Sequence, residues 1–305
     1  MPSSVLAMNP PDKPQMQPYP HTTPTYGATV QYAKAAGLSP VATKAEEKYI
    51  RQVIGVLLYY GQAVDATIIT GLSSLAAAQT KPPAHTVFLI KWLLDYIATN
   101  PDAILTYKNS DMVLAIHSDA SYLSKLKAQS QAGGHFFLSL DTENPINNGA
   151  VLNIAQLIKA VMSSAAEAEL GALYINARKA IPQRQTLAEM GHKQPPTPMQ
   201  TNNSTALGVV NNNIQPQCTK AMDMQFHWLR CRKAQHQFRF FWCPETTNRA
   251  DYWTKHHCTA HHIKKRPEIL TPKIVLDALR ASVKRTPDSK PTAQPTQTTR
   301  AATAV

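Results

Sequence analysis

Long apolar runs are absent from this sequence. No stretch of its 305 residues approaches the 18 or more uninterrupted apolar residues of a membrane-spanning helix, so no membrane partner is expected. The first twenty residues lack the compact apolar block of a secretory signal. Cysteine is scarce. Four residues, Cys218, Cys231, Cys243 and Cys258, are too few for a disulfide scaffold and read as reduced thiols of an intracellular protein, cytoplasmic or nuclear. Acids are outnumbered, 19 against 31 lysines and arginines, and the formal charge of +12 favours an anionic partner. Repeats at solenoid periods are missing as well. What is present is a hydrophobic share of 43% with only 16% charged residues, enough to bury a core and to exclude wholesale disorder.

Proline and charge divide the chain. Residues 1–45 carry seven of the 23 prolines by position 24 and read as a disordered, extended leader without a fold of its own. Residues 46–110 are balanced in charge and helical in pattern: Ile50, Val53, Ile54, Leu57 and Leu58 recur at helical spacing. After the break at Lys81-Pro82-Pro83 so do Phe88, Trp92, Leu93 and Tyr96, until Asn100-Pro101 ends the second helix. Residues 111–258 hold 14 basic and 10 acidic residues and change texture. Val113–Ile116 has the doubly apolar run of a central strand. Gly134–Leu140 and Gly149–Ile154 supply two more strands, with Asn147-Asn148-Gly149 as a hairpin-turn signal. A long helix from Ser164, a strand at Thr197–Thr201, a helix over Lys220–Ala234 and a strand at Phe238–Cys243 complete an α/β sandwich on a mixed sheet. Residues 259–305, with 9 basic and 3 acidic residues, read as a basic and mostly flexible tail.

Three carboxylates stand out. Asp119 directly follows the first strand, where a sheet opens to ligands, although a turn or N-cap aspartate explains it equally well in isolation. Ser164 and Glu167 have capping-box spacing, which accounts for Glu167. Glu169 has no such explanation: its helical neighbours Ala166 and Leu173 are apolar, so it projects toward the sheet, where a carboxylate is costly unless paired or metal-bound. Asp251 opens a short helix after the last strand, a place the helix dipole also favours. Carboxylates gathered at one sheet edge are the hard oxygen ligands magnesium needs, and two such ions about 4 Å apart drive phosphodiester hydrolysis.

The runs Ile116-His117-Ser118-Asp119-Ala120-Ser121-Tyr122, Ala132-Gly133-Gly134-His135-Phe136-Phe137 and Glu167-Ala168-Glu169-Leu170-Gly171-Ala172-Leu173 resemble the RNase H domain of copia-type LTR retrotransposons. Thr201-Asn202-Asn203-Ser204-Thr205-Ala206, Met222-Asp223 with His227 and Leu229-Arg230, and Ala250-Asp251-Tyr252-Trp253-Thr254-Lys255 continue it in order. Ile54–Tyr60 and Trp92–Tyr96 resemble the helical stretch between polymerase and RNase H in such polyproteins. The resemblance covers residues 46–258. It implies an RNase H-like mixed five-stranded sheet flanked by helices, preceded by a small helical subdomain, and two magnesium ions, or manganese, held by Asp119, Glu169 and Asp251. It also implies cleavage of the RNA strand of RNA–DNA hybrids, with other retroelement polyprotein parts as partners.

The departures from the family pattern matter as much. Asn202 stands where the family places a fourth catalytic acid; an amide offers a carbonyl oxygen but no charge, so cleavage is expected to be impaired. The loop Cys243–Thr247 lacks the histidine that some RNases H carry before the last acid. Pro182 interrupts what the family writes as helix. The alternative to an impaired nuclease is a non-enzymatic nucleic-acid-binding or structural remnant of a retroelement polyprotein.

Lys220, Arg230, Arg232, Lys233 and Arg239 cluster in sequence and are the candidates for phosphate contacts with hybrid or other nucleic acid. His256–His262, with Cys243, invites a zinc reading, but one cluster without a second ligand pair reads more simply as a solvated basic loop. Asp223 and His227, four apart, read as a pair that stabilises their helix. Phe136, Phe137, Phe240, Phe241 and Trp242 read as core, since stacking on bases requires exposure.

Overall fold

The computed structural model describes residues 11, 14–21, 39–214 and 223–271. Its helical half begins at α1 (Lys44–Ala63). The Thr43 hydroxyl accepts from the Glu46 N–H while the Glu46 carboxylate accepts from the Thr43 N–H at 2.7 Å, a capping box that fixes the start. Ile50, Val53, Ile54 and Leu57 turn inward as their spacing predicts and pack on Ile90, Leu93, Tyr96 and Ile97 of α3 (His85–Thr99). Between them lies α2 (Ile69–Ala78), which the sequence pattern does not separate from α1. Asp65 makes the division: its carboxylate accepts from the Thr67 N–H at 2.9 Å and starts a 3-10 turn ahead of α2.

Five strands form one mixed sheet in the order β3-β2-β1-β4-β5. β1 (Val113–Lys125), β2 (Gln129–Ser139) and β3 (Ala150–Ile158) run antiparallel to their neighbours, while β4 (Thr197–Thr201) lies parallel to β1 and β5 (Phe238–Trp242) parallel to β4. With its flanking helices this is the mixed five-stranded α/β sheet expected from the sequence. The strand residues divide by parity. Leu114, Ile116, Phe136, Met199, Phe238 and Phe240 pack under α4 (Ala165–Glu189), α5 (Ser204–Val210) and α6 (Asp223–Ala234). His117 and Asp119 face the other side, where a 3-10 turn (Arg249–Trp253) lies across β1 and β2, with α7 (Thr259–Ile269) beyond it.

Two adjacent glycines let both layers approach β2. A Cβ on Gly133 would meet the Ala250 carbonyl oxygen at 2.4 Å, and one on Gly134 would meet the Asn176 side chain of α4 at the same distance. The Gly-Gly of the motif is therefore a packing requirement on both faces of the sheet.

Several expectations are corrected. β1 does not end before Asp119 but carries it mid-strand, paired with Gly133, because β2 supplies ladder partners as far as Lys125. Asn147-Asn148-Gly149 is not a two-residue turn: Phe137 already pairs with Ala150, and the intervening loop is held by the Asn148 amide, which donates to Leu138 and Lys108 carbonyls. α4 runs through Pro182 to Glu189, leaving the Arg178 carbonyl without its usual i+4 donor. The Glu167 carboxylate reaches the Ser163 N–H at 2.8 Å, one residue ahead of the Ser164 cap.

The termini also depart from expectation. Within the stretch expected to be a disordered leader, residues 14–21 are docked: Trp92 donates to the Gln17 carbonyl at 2.9 Å and Tyr19 stacks on His256. The extended segment leaves the Gln17 carbonyl free of its own ladder, and the Trp92 indole takes it up. Of the expected flexible tail, Thr259–Ile269 is helix, with Pro267 confined to the last turn. No helix among the described residues is long and apolar enough to cross a membrane.

Candidate active site

β1 is paired with β4 only as far as His117 with Gln200. Beyond that level the ladder between β1 and β4 ends, with Asp119 two residues further along β1 and Asn202 just past the end of β4. Asp119 is 4% exposed and Glu169 of α4 is 5% exposed. The Glu169 carboxylate accepts from the Ala120 N–H at 3.2 Å and lies 3.5 Å from the Thr201 hydroxyl, which donates to it. One helix carboxylate thus ties β1 to the end of β4, beside Asn202.

The electrostatics follow from burial. Desolvation, then the neighbouring Asp251, pushes Asp119 up to about 7, against the pull of Lys255 and the Thr254 hydroxyl. Burial and the adjacent Asp119 hold Glu169 well above the usual carboxylate range. Both shifts run the same way: burial and mutual repulsion disfavour ionising the two acids together. Asp251, in the 3-10 turn behind an Asn248 cap, is drawn to Lys255, whose ammonium donates to its Oδ1 at 2.7 Å.

The structure therefore brings Asp119 and Glu169 into contact and sets Asp251 beside Asp119, while Asn202 follows Thr201, whose hydroxyl reaches Glu169. Among the described residues no three His, Cys, Asp or Glu side chains form a group that could hold a metal ion as they stand. The donor set still fits a hard divalent cation in kind: oxygen only, with a buried acid pair whose proton a cation would replace. Asp251 must leave Lys255 to join it.

The basic candidates do not gather into one patch. Lys220 lies outside the described residues, as does the side chain of Asp223 and with it the expected pairing to His227. Arg230 is committed to the fold: it donates to the Val209 and Ile214 carbonyls at 2.7 and 3.1 Å and lies over Phe226. Arg232 lies over Trp228 in the same helix, and Lys233 sits in its last turn. Arg239 is on the opposite sheet face, because β5 turns Phe238 and Phe240 inward; it donates to the Glu143 carbonyl and lies over Phe241. Trp242 is half exposed, not core, and its indole N–H donates to the Asn202 carbonyl at 2.9 Å.

The histidine run is neither a solvated loop nor, among the described residues, a metal cluster. It forms a joint between the two halves. The His262 ring lies between the Tyr252 hydroxyl at 2.6 Å and the Tyr96 hydroxyl at 2.9 Å, and burial holds it neutral, down to about 4. Tyr96 in turn meets Thr67, which meets buried Asp65, and Arg266 lies 3.6 Å from that carboxylate. His256 meets the Ser74 hydroxyl at 3.0 Å. Three residues that shape the site went unmarked in the sequence reading: His117, Asn176 and Lys255. Only Lys255 carried a signal, its i+4 spacing from Asp251.

With this geometry the comparisons take their place. A Retrovirus-related Pol polyprotein from transposon TNT 1-94 of Nicotiana tabacum is 24% identical over 166 residues. The chain is similar to a retrotransposon Pol polyprotein. That stretch is 54% of this chain, and the chain spans only 12% of the polyprotein's length. No protein-family model matches. Among solved structures, LC11-RNase H1 in complex with an RNA/DNA hybrid is 13% identical, covering 46% of this chain and 93% of that one at a TM-score of 0.35. The N-terminal RNase H domain of rv2228c from Mycobacterium tuberculosis is 11% identical, covering 46% and 95% at 0.33. RNase H1 from Halobacterium salinarum is 14% identical, covering 48% and 95% at 0.30.

Proposed function

We propose that this chain is the RNase H-type part of a copia-type LTR retrotransposon polyprotein, that it binds RNA–DNA hybrid, and that it cleaves the RNA strand only weakly. The observation that carries the reading is the contact of buried Asp119 with Glu169, from a strand and a helix far apart in sequence, with Asp251 of the 3-10 turn close enough to raise Asp119. Similarity to a retrotransposon Pol polyprotein supports it. Asp119 and Glu169, with Asp251 once released by Lys255, are the residues that would hold magnesium or manganese. A bound divalent cation supplies Lewis acidity toward the scissile phosphate. The chain's own groups orient that site: the Ala120 N–H and Thr201 hydroxyl hold the Glu169 carboxylate, and Asn202 offers a neutral oxygen where a fourth negative charge is needed.

The test is hybrid cleavage with magnesium or manganese by this chain and by Asn202→Asp. The variant is expected to cut about a hundredfold faster, the scale of losing one group that stabilises transition-state charge. Equal rates overturn the role given to Asn202. A second reading, a nucleic-acid-binding remnant without cleavage, is favoured by the engagement of Asp251 with Lys255; an inactive Asn202→Asp that still binds hybrid selects it.

A further inference from the structure

A cleft of about 840 Å³ opens on the sheet face opposite α4. One wall is α7, through Lys264 and Lys265; the other is the loop 243–249; the floor is His117, Gln200 and Phe241. Asp251 lines it too, so the cleft adjoins the site through that acid. We propose that this cleft takes an unpaired nucleic-acid strand, two or three nucleotides of the RNA as it leaves the hybrid at the acids. The proposal rests on the reading of the site as RNase H-type.

A volume in the range of small-molecule sites matches two or three nucleotides of a single strand. The lining supplies what a strand needs, cations for phosphates and an aromatic face for a base. Over the whole lining Arg249, Lys264 and Lys265 are matched by Glu245, Asp251 and Glu268, but the charges are not evenly spread: Lys264 is exposed and Lys265 shares Glu268 with Arg249, so the α7 wall itself is left net cationic. Phe241 is on the face of β5 turned away from the core, half-buried, with Arg239 over its ring. On the floor, His117 Nδ1 accepts from the Arg249 N–H at 3.2 Å.

The test uses the full chain and fluorescence anisotropy. A blunt RNA–DNA hybrid is compared with hybrids carrying an unpaired RNA tail of about eight nucleotides at either end. One tailed hybrid is expected to bind about tenfold tighter than the blunt one, an advantage lost in Lys264→Glu/Lys265→Glu while blunt binding stays within about twofold. Losing two single-strand phosphate contacts also lowers the salt slope for the tailed hybrid by about 1.4. No tail advantage, or one that survives the double substitution, overturns the proposal. If neither hybrid binds, the reading of the function fails, and the free RNA strand decides the cleft: binding that the double substitution abolishes supports it, and no binding overturns it. Should the variant misfold, photocrosslinking of a 4-thiouridine tail to the unsubstituted chain decides: adducts in residues 241–249 or 261–268 support the proposal, and adducts elsewhere alone overturn it.

Discussion

Trp253→Ala is expected to lower the unfolding free energy by about 3–5 kcal/mol, the scale of deleting a buried tryptophan. Trp253 is fully buried, its ring stacks on His135 of β2 with centroids 5.4 Å apart, and its indole N–H donates to the Ala66 carbonyl of the helical half at 2.9 Å. The Gln131 amide of β2 donates to its backbone carbonyl at 2.6 Å. Removing the side chain opens a cavity under the turn that carries Asp251, two residues away. It also severs one of several hydrogen-bonded links between the halves, others running through Tyr252 and His262, through His256 and Ser74 and through Lys125 and Ser74. Trp253→Phe keeps the ring stack and loses the donor, so it is expected to cost less than half as much. Denaturant unfolding of both variants checks this. An alanine variant within 1 kcal/mol of the parent would mean that the halves are held together elsewhere.

The second large effect is a pH dependence centred on His135. Burial pushes this histidine down to about 4, against the hydrogen bonds of Asn153 and Asn147 to its two ring nitrogens at 2.9 and 2.8 Å. A neutral ring donates from one nitrogen only, so one of the two amides presents its NH2 to the other. The folded value lies below the unfolded 6.5. The stabilisation is therefore complete above pH 6.5 and is lost as pH falls toward 4. By linkage the loss at pH 5 is about 2 kcal/mol for this residue alone. Asp119 and Glu169 work in the opposite direction, being raised, so the whole-molecule curve mixes both signs. His135→Gln isolates the histidine: its stability deficit at pH 7.5 is expected to shrink by about 2 kcal/mol at pH 5. A deficit that does not change with pH contradicts a neutral, buried His135.

Much of this arrangement is legible in the residues. Glu169 stands out because its helical neighbours are apolar, and the sheet face of α4 is where it lies. The inward faces of α1 and α3 follow from their spacing. Other features are not legible, for physical reasons. β1 looks short because Ser118, Asp119 and Ser121 interrupt its apolar run, yet a polar residue costs a strand little when the ladder continues through its backbone. α7 looks like a solvated basic loop because its histidines and lysines carry no apolar stripe. What turns His262 inward is a pair of tyrosine hydroxyls, Tyr96 and Tyr252, one of them 166 residues away. Arg230 reads as a phosphate ligand by composition, but the carbonyls that claim it belong to the end of α5 and the loop behind it. Long-range hydrogen-bond partners leave no periodicity in a sequence.

The identity of the site rests on whether Asp119, Glu169 and Asp251 take a divalent cation, and calorimetric titration of manganese into the full chain at pH 7.5 measures this directly. Weak binding by the unsubstituted chain, at least about tenfold tighter binding by Asn202→Asp and none by Asp119→Asn is the expected result, since one added carboxylate supplies the missing charge. Binding that is unchanged in Asp119→Asn would place the cation elsewhere and contradict the assignment.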